Sequence, residues 1–238
     1  QKKIVEAFST RITRGERIGI LGPNGSGKTT LLRLILGAVI PAAGTVRRAP
    51  NMQVVYFDQL QAELNPQDTI RTAVSEGRDL LTVDGKPIHI YAYLEKFLFS
   101  RERVDMHIGD LSGGERARIA LARMFKLPCN VLVLDEPTND LDIETLELLE
   151  RLLIEFEGTL LLVSHDREFL NNLVTSTFVL EGEGRVTEYA GGYDDWLQQR
   201  PQPREEVKEA PPKKPDRPKT EAKRKLTFKE KAELATLE

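Results

Sequence analysis

At 238 residues, with 40% hydrophobic and 30% charged residues and a formal net charge of −3, the chain has the composition of a globular protein with enough length for one large core or two ordinary ones. No apolar run approaches the roughly 18 residues needed to cross a bilayer, so no part of it is expected to span a membrane. Cys129 is the only cysteine, which excludes an internal disulfide, and no charged-then-apolar leader reads as a secretion signal; a cytoplasmic setting is the default expectation. The first residue is Gln1 rather than Met, and the chain is expected to be a piece of a longer one. Charge is unevenly spread. Residues 200–238 carry 12 Lys and Arg against 8 Asp and Glu, a net of +4, which leaves −7 for residues 1–199.

Arg17 to Gly22 reads as a short buried strand entering a glycine-rich turn, and Lys28 to Leu36 as a leucine-rich helix. Thr45 to Arg48 and Gln53 to Phe57 read as strands. Between Thr69 and Met106 the pattern becomes mostly helical, interrupted at Asp84-Gly85, a pair suited to a tight hairpin turn. Ser112 to Lys126 reads as a helix, Asn130 to Leu134 as a buried strand, Ile143 to Glu157 as a long amphipathic helix and Thr159 to Ser164 as another buried strand. Thr177 to Leu180 and Arg185 to Tyr189 form a hairpin across Gly182 and Gly184. Strands alternating with helices imply a parallel sheet covered on both faces, an α/β fold. Composition breaks after Gln199. Six of the 13 prolines fall between Pro201 and Pro218, so residues 200–225 are expected to be a flexible linker. Thr227-Phe228-Lys229-Glu230 then has the form of a helix-starting capping box, opening an element over 226–238.

Gly22-Pro23-Asn24-Gly25-Ser26-Gly27-Lys28-Thr29, with Thr30 after it, fits the spacing of a phosphate-binding loop between a strand and a helix. Glycines let backbone N–H groups turn inward around phosphate oxygens, the helix start adds a favourable dipole, Lys28 reaches the terminal phosphates and Thr29 offers a hydroxyl to Mg²⁺. Val131 to Glu136 is an apolar run ending in two acids, placed where ligands bind in open α/β sheets. Asp135 can hold Mg²⁺ through water, and Glu136 can polarise or position an attacking water. Leu111-Ser112-Gly113-Gly114-Glu115, before a helix with Arg116, Arg118 and Arg123, makes a second anion site that the phosphate loop does not itself need.

That last string resembles the signature of ABC ATPases, and the resemblance covers nearly all of residues 1–199. It implies a P-loop ABC-type ATPase domain with a helical signature subdomain over about 69–126, binding ATP and Mg²⁺. On this resemblance Gln59 matches the glutamine that senses Mg²⁺ and the attacking water, Asp140-Leu141-Asp142 the D-loop, and His165 the switch histidine that contacts the γ-phosphate; Glu136, His165 and Gln59 form the catalytic set, and Thr29, Gln59 and Asp135 the metal set. His89, His107 and Cys129 match nothing and read as structural. Pro137 to Asp142 and Ser164 to Phe169 are similar to ABC-F proteins, which carry two such domains in one chain and no transmembrane partner. Asp84-Gly85-Lys86-Pro87, Phe97-Leu98-Phe99 and Gly191-Gly192-Tyr193-Asp194 look like the second domain of the Uup-type subgroup, in which the C-terminal element is a DNA-binding coiled coil; here residues 226–238 would be only its start. ABC domains stack adenine on an aromatic residue upstream of the phosphate loop. Phe8 is the only aromatic before Gly22, and in that subgroup Lys3 to Ser9 lies past the stacking position, so the platform is expected to be missing.

The resemblance implies ATP-driven opening and closing against a second ABC domain, from the same full-length chain or from a second copy, with a ribosome or branched DNA as target. An ATPase subunit of a membrane transporter is the alternative reading. A module whose main business is binding nucleic acid is a third, disfavoured because a net of +4 over 39 residues is ordinary for a solvated linker.

Overall fold

The computed structural model describes residues 3–83, 85–139 and 141–200, apart from the side chain of Gln61. The linker and helix start expected over 200–225 and 226–238 lie, except for Arg200, outside the described residues. Asp140 does too.

Two strands explain most of the architecture. β5 (Val131–Asp135) and β6 (Thr159–Val163) are uninterrupted apolar runs, because both faces of each are covered. Alternation divides them. Leu132, Leu134, Leu160 and Leu162 belong to one buried cluster, and Val131, Val133, Leu161 and Val163 to a second on the opposite face. Full burial of each such side chain is worth about 1.5–3 kcal/mol. The six-stranded sheet runs β2-β5-β6-β1-β7-β8, where β1 is Arg17–Leu21, β2 Val54–Tyr56, β7 Ser176–Gly182 and β8 Arg185–Ala190. All pairs are parallel except the terminal β7–β8 hairpin. The mixed α/β fold is therefore as the strand–helix alternation implies.

Helix α1 (Lys28–Ile35) packs Leu31 and Leu32 onto the second cluster. On the first cluster sit α5 (Gly113–Lys126), α6 (Ile143–Glu155) and α7 (Arg167–Leu173). The region 69–126 holds α3 (Ile70–Ser75), α4 (Ile90–Glu95) and α5, and also a separate two-stranded hairpin of β3 (Leu80–Val83) and β4 (Lys86–His89). Its strands lie on either side of the pair predicted to turn, of which Gly85 is described and Asp84 lies outside the described residues.

Two expectations need correction. Thr45 to Arg48 forms no strand: among the described residues nothing pairs with it, and β propensity without a ladder partner leaves backbone groups unsatisfied. Arg48 instead donates to the carbonyl of Leu36 at 3.0 Å. The strand expected over Gln53 to Phe57 ends at Tyr56, and Phe57 opens a further helix, α2 (Phe57–Ala62). Besides α2, two short helices were not legible, α7 and α8 (Tyr193–Gln199). At seven residues each, they show too few turns for periodicity to register.

Candidate nucleotide site

The loop from Gly22 to Gly27 leads from β1 directly into α1. Gly22, Gly25 and Gly27 have φ of 154°, 71° and 109°. At Gly27 the backbone is left-handed and a Cβ would run into the side chain of Ile4, so only glycine fits. Gly27 gives α1 no side-chain cap. The first N–H groups of the helix thus remain free to bind an anion. Ser26 Oγ is buried in this loop without a hydrogen-bond partner.

Lys28 begins α1 and turns back over the loop. Its Nζ donates to the Gly22 carbonyl at 3.0 Å, lies 3.0 Å from His165 Nε2 and 3.8 Å from Glu136 Oε1. His165 Nε2 also lies 3.0 Å from Asn24 Oδ1 and 3.2 Å from Glu136 Oε1. An ammonium only donates, whereas one imidazole nitrogen either accepts from it or donates to the oxygens. These four side chains therefore compete for one another, and any phosphate oxygen taking Lys28 must redistribute the set.

On the other side of the loop Thr29 Oγ1 donates to Asp135 Oδ2 at 2.8 Å. Asp135 is the last residue of β5. Glu136 follows with φ 54°, a conformation costing a non-glycine residue about 1 kcal/mol or more, and its N–H donates to the Val163 carbonyl at 2.8 Å. That turn carries the carboxylate to Lys28 and His165. Glu136 Oε2 is buried and without a partner. A cleft beside it is lined by Phe57, Asp58, Ala62, Asp135, Glu136, Pro137 and Asn139.

Asp58 is a residue that sequence reasoning passed over. Asp58 is among the residues lining this cleft; its neighbour Gln59, the residue expected to take part, is as exposed as Asp58 but is not among them. Desolvation first, and the negative Asp135 second, push the Asp58 carboxyl up to about 6. The folded chain then binds more protons at Asp58 than the unfolded chain does between the ordinary carboxylate range and about 6, so stability falls as pH rises through that window. An Asp58→Asn variant, measured by urea midpoint without nucleotide, gains on the wild type at pH 7.5 relative to pH 4.5. An equal difference at the two pH values would show that Asp58 ionises normally.

Ser112, Gly113 and Gly114 stand on a different element, the start of α5. Ser112 Oγ accepts from Glu115 N at 3.2 Å and Ser112 N donates to Glu115 Oε2 at 2.9 Å, a reciprocal capping box. Arg103 binds the other Glu115 oxygen and holds that carboxyl down at about 2. Arg103 carries no signal in the sequence because it meets Glu115 only through folding. A Cβ on Gly114 would collide with the carboxylate of Asp142, which caps α6 by accepting from Thr145 N at 2.8 Å. Phe8, partly buried, packs edge-on against Phe178 of the second buried cluster with centroids 5.3 Å apart. His89 caps α4 and His107 Nδ1 lies 2.9 Å from the Gln67 carbonyl, both structural roles.

The family profile described as ABC transporter matches residues 5–139. The chain belongs to that family. It is an ABC ATPase domain, and its relatives include ABC-F proteins. ATP-binding protein Uup of Escherichia coli is 50% identical over 82% of this chain and 31% of its own length. A Uup-like protein of Haemophilus influenzae is 42% identical over 99% of this chain and 54% of its own, and the energy-dependent translational throttle protein EttA of the same organism is 38% identical over 82% and 35%. The chain thus spans about a third to a half of the curated relatives it matches. Among solved structures, cbiO1 of Clostridium perfringens, part of the ABC transporter complex cbiONQ, is 25% identical with a TM-score of 0.60 over 82% of this chain and 84% of that one. Another ATP-binding cassette, MJ0796, shares the fold with a TM-score of 0.56 at 22% identity over 79% and 90%.

The residues present fit ATP and Mg²⁺. Ser26 Oγ and Glu136 Oε2, buried and unpartnered, are the kind of polar atoms a phosphate group and a water would satisfy. Thr29 and Asp135 offer the hard oxygen donors Mg²⁺ prefers. Mg²⁺ held there would keep phosphate oxygens and water among its ligands, as it usually does.

Proposed function

We propose that this chain is the second ABC domain of a cytoplasmic two-domain ABC-F ATPase, in which ATP held by one domain is closed over by the signature of the other. Gly22 to Thr30 cradle the phosphates, Lys28 meets the terminal ones, and Thr29, Asp135 and Gln59 hold Mg²⁺ with its water. Bound Mg²⁺ supplies charge neutralisation of the β- and γ-oxygens. Glu136 orients the attacking water and takes its proton, and His165 reads the γ-phosphate. Ser112 to Gly114 serve the nucleotide of the partner domain. The observation behind this reading is that the chain holds two glycine-rich helix starts, at α1 and at α5. Only the first is assembled with Lys28, Asp135, Glu136 and His165, while both polar groups of Ser112 are taken by Glu115, whose other carboxylate oxygen is held by Arg103.

Closure and opening of the pair then act on a ribosome or nucleic acid; the likeness to a translational throttle protein directs attention to translation. The likeness to cbiO1 keeps a transporter subunit as the second reading. Purification of the full-length, hydrolysis-dead protein with ATP separates them, since ribosomes or DNA should accompany it rather than membranes.

The composite site has its own test. Hydrolysis by the 238-residue chain should rise more steeply than linearly with protein concentration, because only pairs are competent. Ser112→Arg should abolish hydrolysis and spare ATP binding, since the new side chain intrudes on the partner's phosphates. Flat specific activity across a hundredfold dilution, or an active Ser112→Arg variant, would mean that one copy suffices.

A further inference from the structure

The segment Gly191-Gly192-Tyr193-Asp194 lies outside the candidate nucleotide site, yet it is held by specific side-chain contacts. It leads from β8 into α8, and Gly192 and α8 lie on α7 through three unlike contacts. Asn171 Nδ2 donates to Asp194 Oδ2 at 2.9 Å while Asp194 N donates back to Asn171 Oδ1 at 3.0 Å. The Arg167 guanidinium sits over the Tyr193 ring, 4.9 Å from its centroid. A Cβ on Gly192 would lie 2.7 Å from Asn171 Oδ1 and 2.9 Å from Asn171 Cα, so only glycine allows this approach. Gly191 N donates to the Thr175 carbonyl at 2.8 Å, tying the turn to the chain between α7 and β7.

At its near end α7 is joined to His165 with almost no slack. Asp166 caps the helix by accepting from Phe169 N at 3.1 Å, and its own N–H donates to the buried Ser164 hydroxyl at 3.0 Å. The one residue between Ser164 and Asp166 is His165. Phe169, Leu170 and Leu173 anchor the inner side of α7 on the sheet, which leaves its outer side to be held by α8. The Tyr193 ring in turn packs edge-on against Trp196 at 5.2 Å, and Trp196 is the only tryptophan of the chain.

We propose that Asn171 and Asp194, with Arg167 and Tyr193, are positioning residues for ATP hydrolysis: they clamp α8 to α7 and thereby hold His165 against Lys28, Asn24 and Glu136. The inference rests on the role given to His165 under the proposed function. It extends that role to a surface pair whose exposed hydrogen bonds would otherwise contribute little. Because a phosphate oxygen on Lys28 must redistribute the His165 contacts, the same clamp carries nucleotide binding to Trp196.

The test uses the whole chain, titrated with ATP and Mg²⁺ while Trp196 emission is recorded, with ATP affinity taken independently by calorimetry and hydrolysis measured at one fixed protein concentration. Wild-type emission should change along the calorimetric binding curve. Asn171→Asp sets two carboxylates face to face; it should lose the emission response and about tenfold in kcat, the scale of a slight misplacement of a reacting group, with KM within about twofold. Adding Asp194→Asn restores the reciprocal pair with donor and acceptor exchanged, so the double variant should recover both readouts. Arg167→Met, which removes the cation from Tyr193 without adding charge, gives a smaller loss of the same kind and serves if Asn171→Asp does not fold. A helix that only stabilises the fold would shift the melting temperature and leave kcat and emission response alone. That result in Asn171→Asp or Arg167→Met, or a double variant that fails to recover, overturns the proposal. His165→Ala separates the two levels. If it hydrolyses like the wild type, the role of His165 itself falls; if it is impaired while Asn171→Asp is not, only the clamp falls.

Discussion

A Glu136→Gln variant binds ATP as the wild-type chain does and hydrolyses it about two to four orders of magnitude more slowly, the usual worth of a positioned base. The expectation follows from how the residue is held. Glu136 adopts φ 54° immediately after β5, its N–H is fixed to the Val163 carbonyl, and one carboxylate oxygen is engaged by Lys28 and His165. The other, Oε2, is buried with nothing to bond. Glutamine keeps the shape and the hydrogen-bonding reach but cannot take a proton, so it separates chemistry from binding. Single-turnover hydrolysis beside calorimetric ATP affinity gives the two readings. Normal turnover in Glu136→Gln would move the task of orienting water to Gln59 or His165, and of these His165 is the one already in contact with Lys28.

Lys28→Ala should lose ATP affinity by more than about a hundredfold. Each hydrogen bond from a charged donor is worth about 1.5–3 kcal/mol, and Lys28 would make more than one with the terminal phosphates. No neighbour can replace it, because the other side chains meeting at Lys28 Nζ and His165 Nε2 are Asn24 and the acid Glu136. The substitution also frees the Gly22 carbonyl, which now accepts from Nζ at 3.0 Å, and so loosens the loop it should be binding with. Lys28→Arg is the informative companion: it keeps the charge but has a wider, planar head, and the carbonyl, His165 Nε2 and Glu136 Oε1 lie within 3.0 to 3.8 Å of Nζ. It should rescue little. Undiminished affinity in Lys28→Ala, measured by calorimetry, would remove the phosphate-loop assignment at its root.

Much of this protein was decided locally. The Gly22 to Thr29 spacing determined a loop whose conformation only glycines permit, as at Gly27, and Ser112-x-x-Glu115 determined a helix start because the capping box closes within four residues. The apolar runs of β5 and β6 determined a sheet buried on both faces, and with it the place of Asp135 and Glu136 at a strand end. These follow from backbone sterics, short-range hydrogen bonds and burial, which neighbours in the chain settle among themselves. What only the tertiary structure decided depends on groups far apart in sequence. Thr45 to Arg48 has strand-forming residues but no strand beside it, so it stays irregular. Asp58 comes to line the cleft beside Asp135 because β2 passes straight into α2 next to β5. Lys28, Asn24, Glu136 and His165 meet because β1 lies next to β6 in the sheet and β6 next to β5, and no local pattern encodes strand order. The Arg103–Glu115 and Asn171–Asp194 pairs are invisible in the sequence for the same reason: their partners are brought together by packing, and a hydrogen bond between distant residues leaves no periodicity to read.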